Sequence, residues 1–472
     1  MRNTLSNQKN NFLNRSVLAH SEVTSIRKIA PLGKHTISYS KESKESIKEL
    51  YKKRRYKTQS IIQKILAGSA GKWRVVGCGK KRISKDLGVG VSYHPVHGST
   101  SFVNVQMCGL KWLCPVCLER EAQAQRAEVE RLIVFMQKMG FYAHMMTFTA
   151  PHRKYDKLED LISLMKAARK RYFGDRANLA FFEEEFEYVG HITAMEIKYS
   201  DENGWHPHFH TIVFTKNFYS EANLFGTVKR PKLTKNKKGK IECSSNLALA
   251  QKMSVMWMNA CTSVGLKTPD FVHGLDIKRG YDEKEVYDPK PLINYALKVA
   301  LSSEIALSHT KTGRFNTESL TPFEIALMAE SEGDIEDLDS KYSQLFYEYA
   351  CATKGKSMVE PSRALKKLLK EKGFYKAESK PGPDDDVPEV IDPDAPMPEP
   401  ELAPITIFEF NEIQWRALCF DHESRGEFLT LIDRDIKKHG VEGRYFPLAI
   451  GFLNDLVKRS SGGQGGWIPL CS

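Results

Sequence analysis

Features that would place this chain in a membrane or outside the cell are absent from its 472 residues. No apolar run approaches the roughly 18–20 residues that cross a bilayer. The first residues, MRNTLSNQKNNFLNRS, have no apolar segment of the kind that secretory signal peptides contain. Nine cysteines are an odd number, and without an export signal they do not indicate a disulfide framework. We therefore expect a soluble, cytoplasmic protein.

Acidic residues and prolines are concentrated in one stretch that has no basic residue, and the rest of the chain is correspondingly more basic. Residues 381–404 contain eight prolines and eight acidic residues, which predicts an extended acidic linker. The net charge of the whole chain is +12, so the other 448 residues carry +20. This charge favours nucleic acid as the partner, although charge alone does not exclude an anionic membrane surface.

The composition changes along the chain predict six segments. A basic, largely disordered arm that is helical near 46–66 covers residues 1–60, and a Cys-rich metal-binding segment covers 61–125. A catalytic α+β domain then covers 126–310 and a helical extension 311–378. An acidic Pro-rich linker covers 379–404, and a small C-terminal domain covers 405–472. Within the α+β domain, residues 226–242 hold seven basic groups and are predicted as a mobile loop.

The order of predicted elements from residue 141 onward is β-α-β-β-α-β-α. It indicates an antiparallel sheet of split βαβ type with helices on one face, hence the α+β class. The predicted strands are 141–149, 188–199, 205–214 and 270–278. The predicted helices are 156–172, 244–264 and 290–302, and a long helix over 118–139 precedes the sheet.

Three histidines alternate along one predicted strand, in the sequence WHPHFHTIVF. Because strand side chains alternate between faces, His206, His208 and His210 point the same way. Two imidazoles at i and i+2 can share one divalent metal, whereas packing histidines rarely recur at that period. His208 and His210 are therefore predicted metal ligands. His206 precedes Pro207 at the strand entrance and is predicted to be structural or to contact DNA.

A third ligand is expected from the preceding strand, where Glu196 is the acidic residue before the loop. A three-residue loop, 202–204 with positive φ at Gly204, would place Glu196 opposite His210. A two-residue turn would place it opposite Thr211, on the wrong face. Mixed oxygen and nitrogen ligands suit Mn²⁺ or Mg²⁺ better than a structural Zn²⁺.

Four of the nine cysteines cluster, and they are Cys78, Cys108, Cys114 and Cys117. The C-x-x-C pair has the spacing of a zinc knuckle, and the other two can complete a structural Cys₄ zinc site. Cys78 is the least secure member, since His94 or His97 could replace it. Two buried thiols without metal remain the simpler alternative.

Tyr295 and Lys298 lie on one face of the predicted helix over 290–302. A tyrosine hydroxyl, with an ordinary pKa near 10, needs a metal or a cation to attack phosphorus. Alone, such a pair is more typical of an amphipathic helix with a packed tyrosine.

Together these residues resemble the HUH endonuclease superfamily, and within it the rolling-circle plasmid replication initiators. The similar motifs are His208-Phe209-His210 within GWHPHFH, MTFTAPH at 146–152, Tyr295-Ala296-Leu297-Lys298, CGLKWLCPVC at 108–117 and ATKGK at 352–356. The resemblance covers roughly residues 72–375. Pro291 and Val299 occupy the positions four residues either side of Tyr295, which indicates a one-tyrosine site.

The resemblance implies a palm-like nuclease domain, in which Tyr295 is the nucleophile, Lys298 assists it, and Glu196, His208 and His210 bind the metal. Such a protein binds origin DNA, single-stranded at the nick, and forms a 5′-phosphotyrosyl link. The chain lacks the P-loop pattern, so a host helicase, together with a polymerase, would be needed. The alternatives are a relaxase or single-strand transposase of the same superfamily, a non-catalytic zinc-ribbon DNA-binding regulator, and a metal-dependent hydrolase.

Overall fold

The computed structural model describes residues 41–69, 71–95, 98–217, 224, 232–237, 239–243, 247–279, 319–332, 340–374, 404–420 and 423–461. This part of the chain is α+β with antiparallel sheets, as predicted. Its helices are α1 Lys41–Ala67, α2 Pro115–Lys138, α3 Leu158–Gly174, α4 Arg176–Phe186, α5 Leu249–Ser263, α6 Pro322–Glu332, α7 Lys341–Thr353, α8 Arg363–Glu371, α9 Glu412–Phe420, α10 Ser424–His439 and α11 Pro447–Ser461. Its strands are β1 Val89–His94, β2 Ser99–Val103, β3 Tyr142–Phe148, β4 Tyr188–Ser200, β5 Gly204–Thr215, β6 Leu233–Lys235, β7 Ile241–Cys243, β8 Leu275–Arg279, β9 Val359–Pro361 and β10 Ile405–Phe410.

The central sheet has the strand order β8-β3-β5-β4-β9, and every neighbouring pair is antiparallel. Its middle strand β5 is apolar on both sides, because Phe209 and Val213 point to one face while Ile212 and Phe214 point to the other. All four side chains are buried. A strand with this pattern requires cover on both faces of the sheet.

Helices pack on both faces, so the prediction that they lie on one face is wrong. One core contains Phe209 and Val213 with residues of α3 and α5. A second core contains Ile212 and Phe214 with residues of α2 and α8. Helix α2, which precedes the sheet, and helix α8, which follows it by a long stretch of chain, thus share the second face. Sequence order alone did not indicate that arrangement.

A second sheet joins distant parts of the chain in the order β10-β1-β2. Strand β10, from the predicted C-terminal segment, pairs with β1 of the Cys-rich segment. Helix α1 continues through residue 60, where the sequence predicts the end of a largely disordered arm, because Tyr56, Ile61 and Ile62 are buried against these elements. Residues 1–40 lie outside the described part.

The helical extension and the basic loop each contain a strand element that was not predicted. Thr321 and Glu324 form a capping box at the start of α6, with N···O distances of 2.9 and 3.3 Å. After α7 the chain forms β9, which pairs with β4 at the sheet edge. Strands β6 and β7 pair as antiparallel strands and extend from the 226–242 segment to Cys243. Among the described helices, none has the length and apolar character needed to cross a membrane.

Candidate functional site

The β4–β5 hairpin sets the geometry of the candidate site. Its loop has the predicted three residues but begins one residue earlier, so Ser200 pairs with Gly204 and Glu196 pairs with His208 rather than His210. The shift moves the pairing by two positions, which keeps Glu196 on the face of both histidines. Gly204 has the predicted positive φ, 76°, and a Cβ there would lie 2.2 Å from the Lys154 carbonyl oxygen.

Glu196, His208 and His210 form a buried group whose potential ligand atoms lie within 4.8 Å of one another. The Nε2 atoms of His208 and His210 are 2.7 and 3.0 Å from Oε2 of Glu196. Both imidazoles therefore converge on one carboxylate oxygen. Three ligands leave further coordination positions for water or substrate, which is typical of a catalytic rather than a structural metal site.

The outer nitrogen of each imidazole contacts an oxygen atom that orients the ring. Nδ1 of His208 is 3.4 Å from the His206 carbonyl, and Nδ1 of His210 is 3.2 Å from Oγ1 of Thr147. Thr147 lies on β3, directly opposite His210. A carbonyl oxygen only accepts hydrogen bonds, so this contact favours the tautomer of His208 with its proton on Nδ1. This arrangement turns Nε2 toward the carboxylate, as outer-shell partners do in metal sites.

The electrostatics of the group also suit a cation. Burial lowers the pKa of His210, and the hydrogen bond that its ring donates to Glu196 opposes that shift only in part. The neutral ring then offers a lone pair for coordination. Nε2 of His208 and Nε2 of His210 lie within 3.0 Å of the same carboxylate oxygen of Glu196. The residues present therefore fit a divalent metal.

Two further polar residues next to the group were not singled out from the sequence. Nζ of Lys198 is 2.8 Å from Oε1 of Glu196, the oxygen that faces away from the histidines. Thr147 supports His210 as described. Lys198 and Thr147 lie on the same face of the sheet as the ligands. They can be identified from the sequence only when the strand register is known.

His206 is outside this group and pairs instead with His152 of the MTFTAPH motif. Nδ1 of His206 is 2.8 Å from Nε2 of His152. The pKa of His206 is lowered to about 4, mainly by burial and secondly by the nearby His208. This placement is compatible with the predicted structural role. Tyr295 and Lys298 lie outside the described residues.

The four clustered cysteines form a second buried group, which includes Cys78. The Sγ atoms of Cys78 and Cys114 are 3.7 Å apart, and those of Cys78 and Cys117 and of Cys108 and Cys117 are each 3.6 Å apart. A tetrahedral zinc with Zn–S bonds of about 2.3 Å requires sulfur atoms about 3.8 Å apart. The spacing therefore fits a Cys₄ zinc site, and His94 is not part of the group.

N–H groups point at the sulfur atoms, as expected for thiolates. The backbone N–H groups of Cys108 and Cys117 donate to Cys78 and Cys114 at 3.3 and 3.4 Å, and the Gln59 side chain donates to Cys114 at 3.2 Å. Hydrogen bonds from the other three thiols hold the pKa of Cys117 below its ordinary value, whereas burial raises that of Cys114. The residues thus fit a closed structural site.

Comparison with known proteins supports one family. Residues 100–227 match the family model described as replication protein. The chain is 26% identical over 315 residues to a protein named Rep of Streptomyces lividans, covering 58% of this chain and 65% of the relative. It is 30% identical over 139 residues to a neomycin resistance protein of Streptomyces cyanogenus, covering 25% of this chain and 32% of the relative. The chain thus spans less than two thirds of either relative. No solved structure matches.

The matched segment contains Glu196, His208 and His210, and it begins just before Cys108. The resemblance to plasmid replication initiators that the motifs indicate is confirmed by the family model and the first of these relatives.

Proposed function

We propose that this chain, which carries a replication-protein domain over residues 100–227, initiates rolling-circle replication of a plasmid by nicking and rejoining one DNA strand. The observation that carries the proposal is the buried group of Glu196, His208 and His210 inside that domain. A regulator that only binds DNA has no need for two histidines and a carboxylate converging on one point. We further propose that the central sheet is the palm-like sheet of an HUH nuclease.

In this proposal Glu196, His208 and His210 hold Mn²⁺ or Mg²⁺, the ions that mixed oxygen and nitrogen ligands favour. When bound, such an ion supplies a Lewis acid that polarises the scissile phosphate. Lys198 holds the outer carboxylate oxygen of Glu196, and Thr147 holds the ring of His210. These contacts fix the ligand atoms before the substrate arrives, so little reorganisation is needed during the reaction.

Tyr295 is the proposed nucleophile. Its hydroxyl oxygen forms a bond to phosphorus while the bond to the 3′ oxygen breaks, and the departing oxygen takes a proton to become a 3′-OH. Lys298 stabilises the phenolate or orients the phosphate. The phosphotyrosyl bond retains the energy of the phosphodiester, so attack by a 3′-OH rejoins the strand without ATP. Origin DNA, a host helicase and a host polymerase are the proposed partners, and the cytoplasm is the expected site of action.

The decisive experiment incubates the chain and its Tyr295→Phe variant with single-stranded origin DNA and Mn²⁺. The unmodified chain should form a covalent protein–DNA adduct that maps to Tyr295, and the variant should form none, because phenylalanine has no hydroxyl. Tyr445→Phe, at an exposed tyrosine, is the matched control and should keep the adduct. Origin binding without an adduct at any metal concentration would favour the DNA-binding regulator. An adduct that persists in Tyr295→Phe would place the nucleophile elsewhere.

A further inference from the structure

A groove between the Cys-rich segment and the edge of the central sheet is not explained by the proposed cleavage site. It is lined by residues 72–74, 109–113 and 353–359 and has a volume of about 340 Å³. Residues 109–113 form the loop between Cys108 and Cys114, and 354–358 connect α7 to β9. We call it the Trp73 groove.

The side chains of this groove carry positive charge and no negative charge. Its basic members are Lys72, Arg74, Lys111, Lys354 and Lys356. Three of them contact other parts of the protein: Arg74 bonds the Cys108 carbonyl, Lys111 lies 3.5 Å from Glu121, and Lys356 donates to the Ala352 carbonyl at 2.6 Å. Lys72 and Lys354 are exposed and form no ion pair within the described part of the chain. Together with the exposed Arg74, they are the cations that face an anionic ligand.

The aromatic wall of the groove is held in place but remains accessible. The indole N–H of Trp73 donates to Oγ of Ser69 at 3.0 Å, and the ring of Tyr347 packs edge-on at 6.3 Å. Trp73 is half-buried, and Nζ of Lys354 lies 5.2 Å from its ring centroid. A fixed indole beside lysines that form no ion pair is the combination that binds single-stranded nucleic acid, because a base stacks on the ring while phosphates meet the cations.

One wall of the groove reaches the edge of the central sheet, whose inner strands carry Glu196, His208 and His210. Val359, at the groove wall, pairs with Ala194, which in turn pairs with His210. Adjacent strands are about 4.8 Å apart, so the Cα atoms of Val359 and His210 are separated by about 10 Å across the sheet. The neighbouring Met358 carbonyl accepts a bond of 3.1 Å from the Met195 N–H. Trp73 and Met358, however, pack against the core that contains Phe209 and Val213, so the aromatic wall of the groove is on the opposite side of the sheet from the candidate metal ligands.

We propose that the Trp73 groove binds a nucleotide of single-stranded DNA, with its base stacked on Trp73 and the flanking phosphates contacted by Lys72 and Lys354. A cleft of this volume accepts a base with its phosphate but not a duplex. That the bound strand is origin DNA rests on the proposed function. The binding of single strands by the groove does not.

The first test measures binding of a fluorescein-labelled oligo(dT) by anisotropy, so no origin sequence is required. Trp73→Ala should weaken binding about tenfold, as expected for the loss of one stacked base, and Trp73→Phe should retain most of the affinity. The same probe as a dT·dA duplex should bind with little dependence on Trp73. Equal binding by all three chains would overturn the proposal.

The second test isolates the two lysines and does not depend on how Trp73→Ala folds. A double variant, Lys72→Glu with Lys354→Glu, should lower the slope of log affinity against log salt by about 1.4, since each phosphate contact on a single strand contributes about 0.7. The matched control replaces Lys138 and Lys438, which are exposed and lie outside the groove, by glutamate. Equal slopes in the two double variants would overturn the proposal.

Adduct formation, measured on the same preparations, separates this proposal from the function. Weaker oligo(dT) binding by Trp73→Ala in a chain that never forms an adduct supports the groove and contradicts the nuclease. An adduct formed by the unmodified chain, together with oligo(dT) binding that Trp73 does not affect, supports the nuclease and overturns the groove.

Discussion

The two candidate metal groups differ in the way that structural and catalytic sites differ. The cysteine group has four sulfur atoms at tetrahedral spacing and uses every coordination position of a zinc ion. The Glu196–His208–His210 group has three ligand atoms, of mixed nitrogen and oxygen, and leaves positions open. Burial is similar in both. The number and kind of ligand atoms, rather than burial, separate the two predicted roles.

Their connections to the rest of the fold differ as well. The cysteines lie on separate loops and at the start of α2, and the group contacts α1 through Gln59. Nearby, the buried Arg425 of α10 donates to the Gly79 carbonyl at 3.1 Å. The histidine group, by contrast, is built on two strands of one hairpin, with support from β3. We expect loss of the first group to affect folding and loss of the second to affect chemistry.

The largest effect should follow from removing a cysteine ligand. Cys117→Ser should abolish zinc binding and lower the free energy of unfolding by about 5 kcal/mol or more, because structural zinc contributes roughly 10–16 kcal/mol in small zinc-finger peptides. Metal analysis and urea unfolding followed by circular dichroism measure both quantities. Cys351→Ser, at an exposed cysteine outside the group, should change neither. A Cys117→Ser chain that keeps one zinc and its stability would contradict a structural zinc site.

Replacing the carboxylate ligand should lower the activity and leave the zinc site intact. Glu196→Gln keeps the shape of the side chain but removes its charge, and we expect Mn²⁺-dependent nicking to fall on the order of 10³-fold, a magnitude typical of a lost transition-state contact. The zinc content should not change. Glu360→Gln is the control, since this carboxylate pairs with Lys166 and Arg169 on the opposite face of the sheet. Unfolding of Glu196→Gln with loss of zinc would show that the two groups are not independent.

Local patterns predicted much of this comparison. The alternation in WHPHFHTIVF placed His208 and His210 on one face, because a strand has a period of two whatever it packs against. Loop length then limited the register of Glu196 to the correct face, although the pairing differs from the prediction by two positions. The Thr321–Glu324 capping box could also be predicted, because all of its atoms belong to one helical turn.

Features that depend on distant pairing could not be predicted in this way. Strand β10 pairs with β1 across more than 300 residues, and nothing in the sequence of either strand specifies the partner. The short edge strand β9 forms because β4 offers backbone groups at the edge of the sheet. Its own sequence does not specify that distant partner, and the segment was predicted as helix. Thr147 supports His210 only because β3 lies beside β5. Such contacts follow from topology, which a single sequence does not reveal.

A smaller effect should follow from removing the hydroxyl that orients His210. Thr147→Val has nearly the same shape but cannot bond Nδ1, so Mn²⁺ should bind about 10–100-fold more weakly. The metal concentration that gives half-maximal nicking should rise accordingly, while the rate at saturating metal changes little. Thr193→Val removes a hydroxyl that bonds Thr211 on the opposite face and should leave the metal dependence unchanged. Equal shifts in both variants would indicate a general packing effect rather than support of the ligand.

The smallest effect concerns acid pH. Burial lowers the pKa of His210 from its ordinary 6.5, so in the metal-free chain its ring should titrate at a more acidic pH than in urea. Between those two pKa values the unfolded chain binds more protons than the folded one. The contribution of His210 to stability therefore declines as the pH falls through this window, no more steeply than about 1.4 kcal/mol per pH unit. Histidine NMR spectra, assigned by comparison with His210→Gln, measure the midpoint. A midpoint at or above 6.5 in the folded chain would mean that Glu196 outweighs burial, and that a proton competes with the metal at neutral pH.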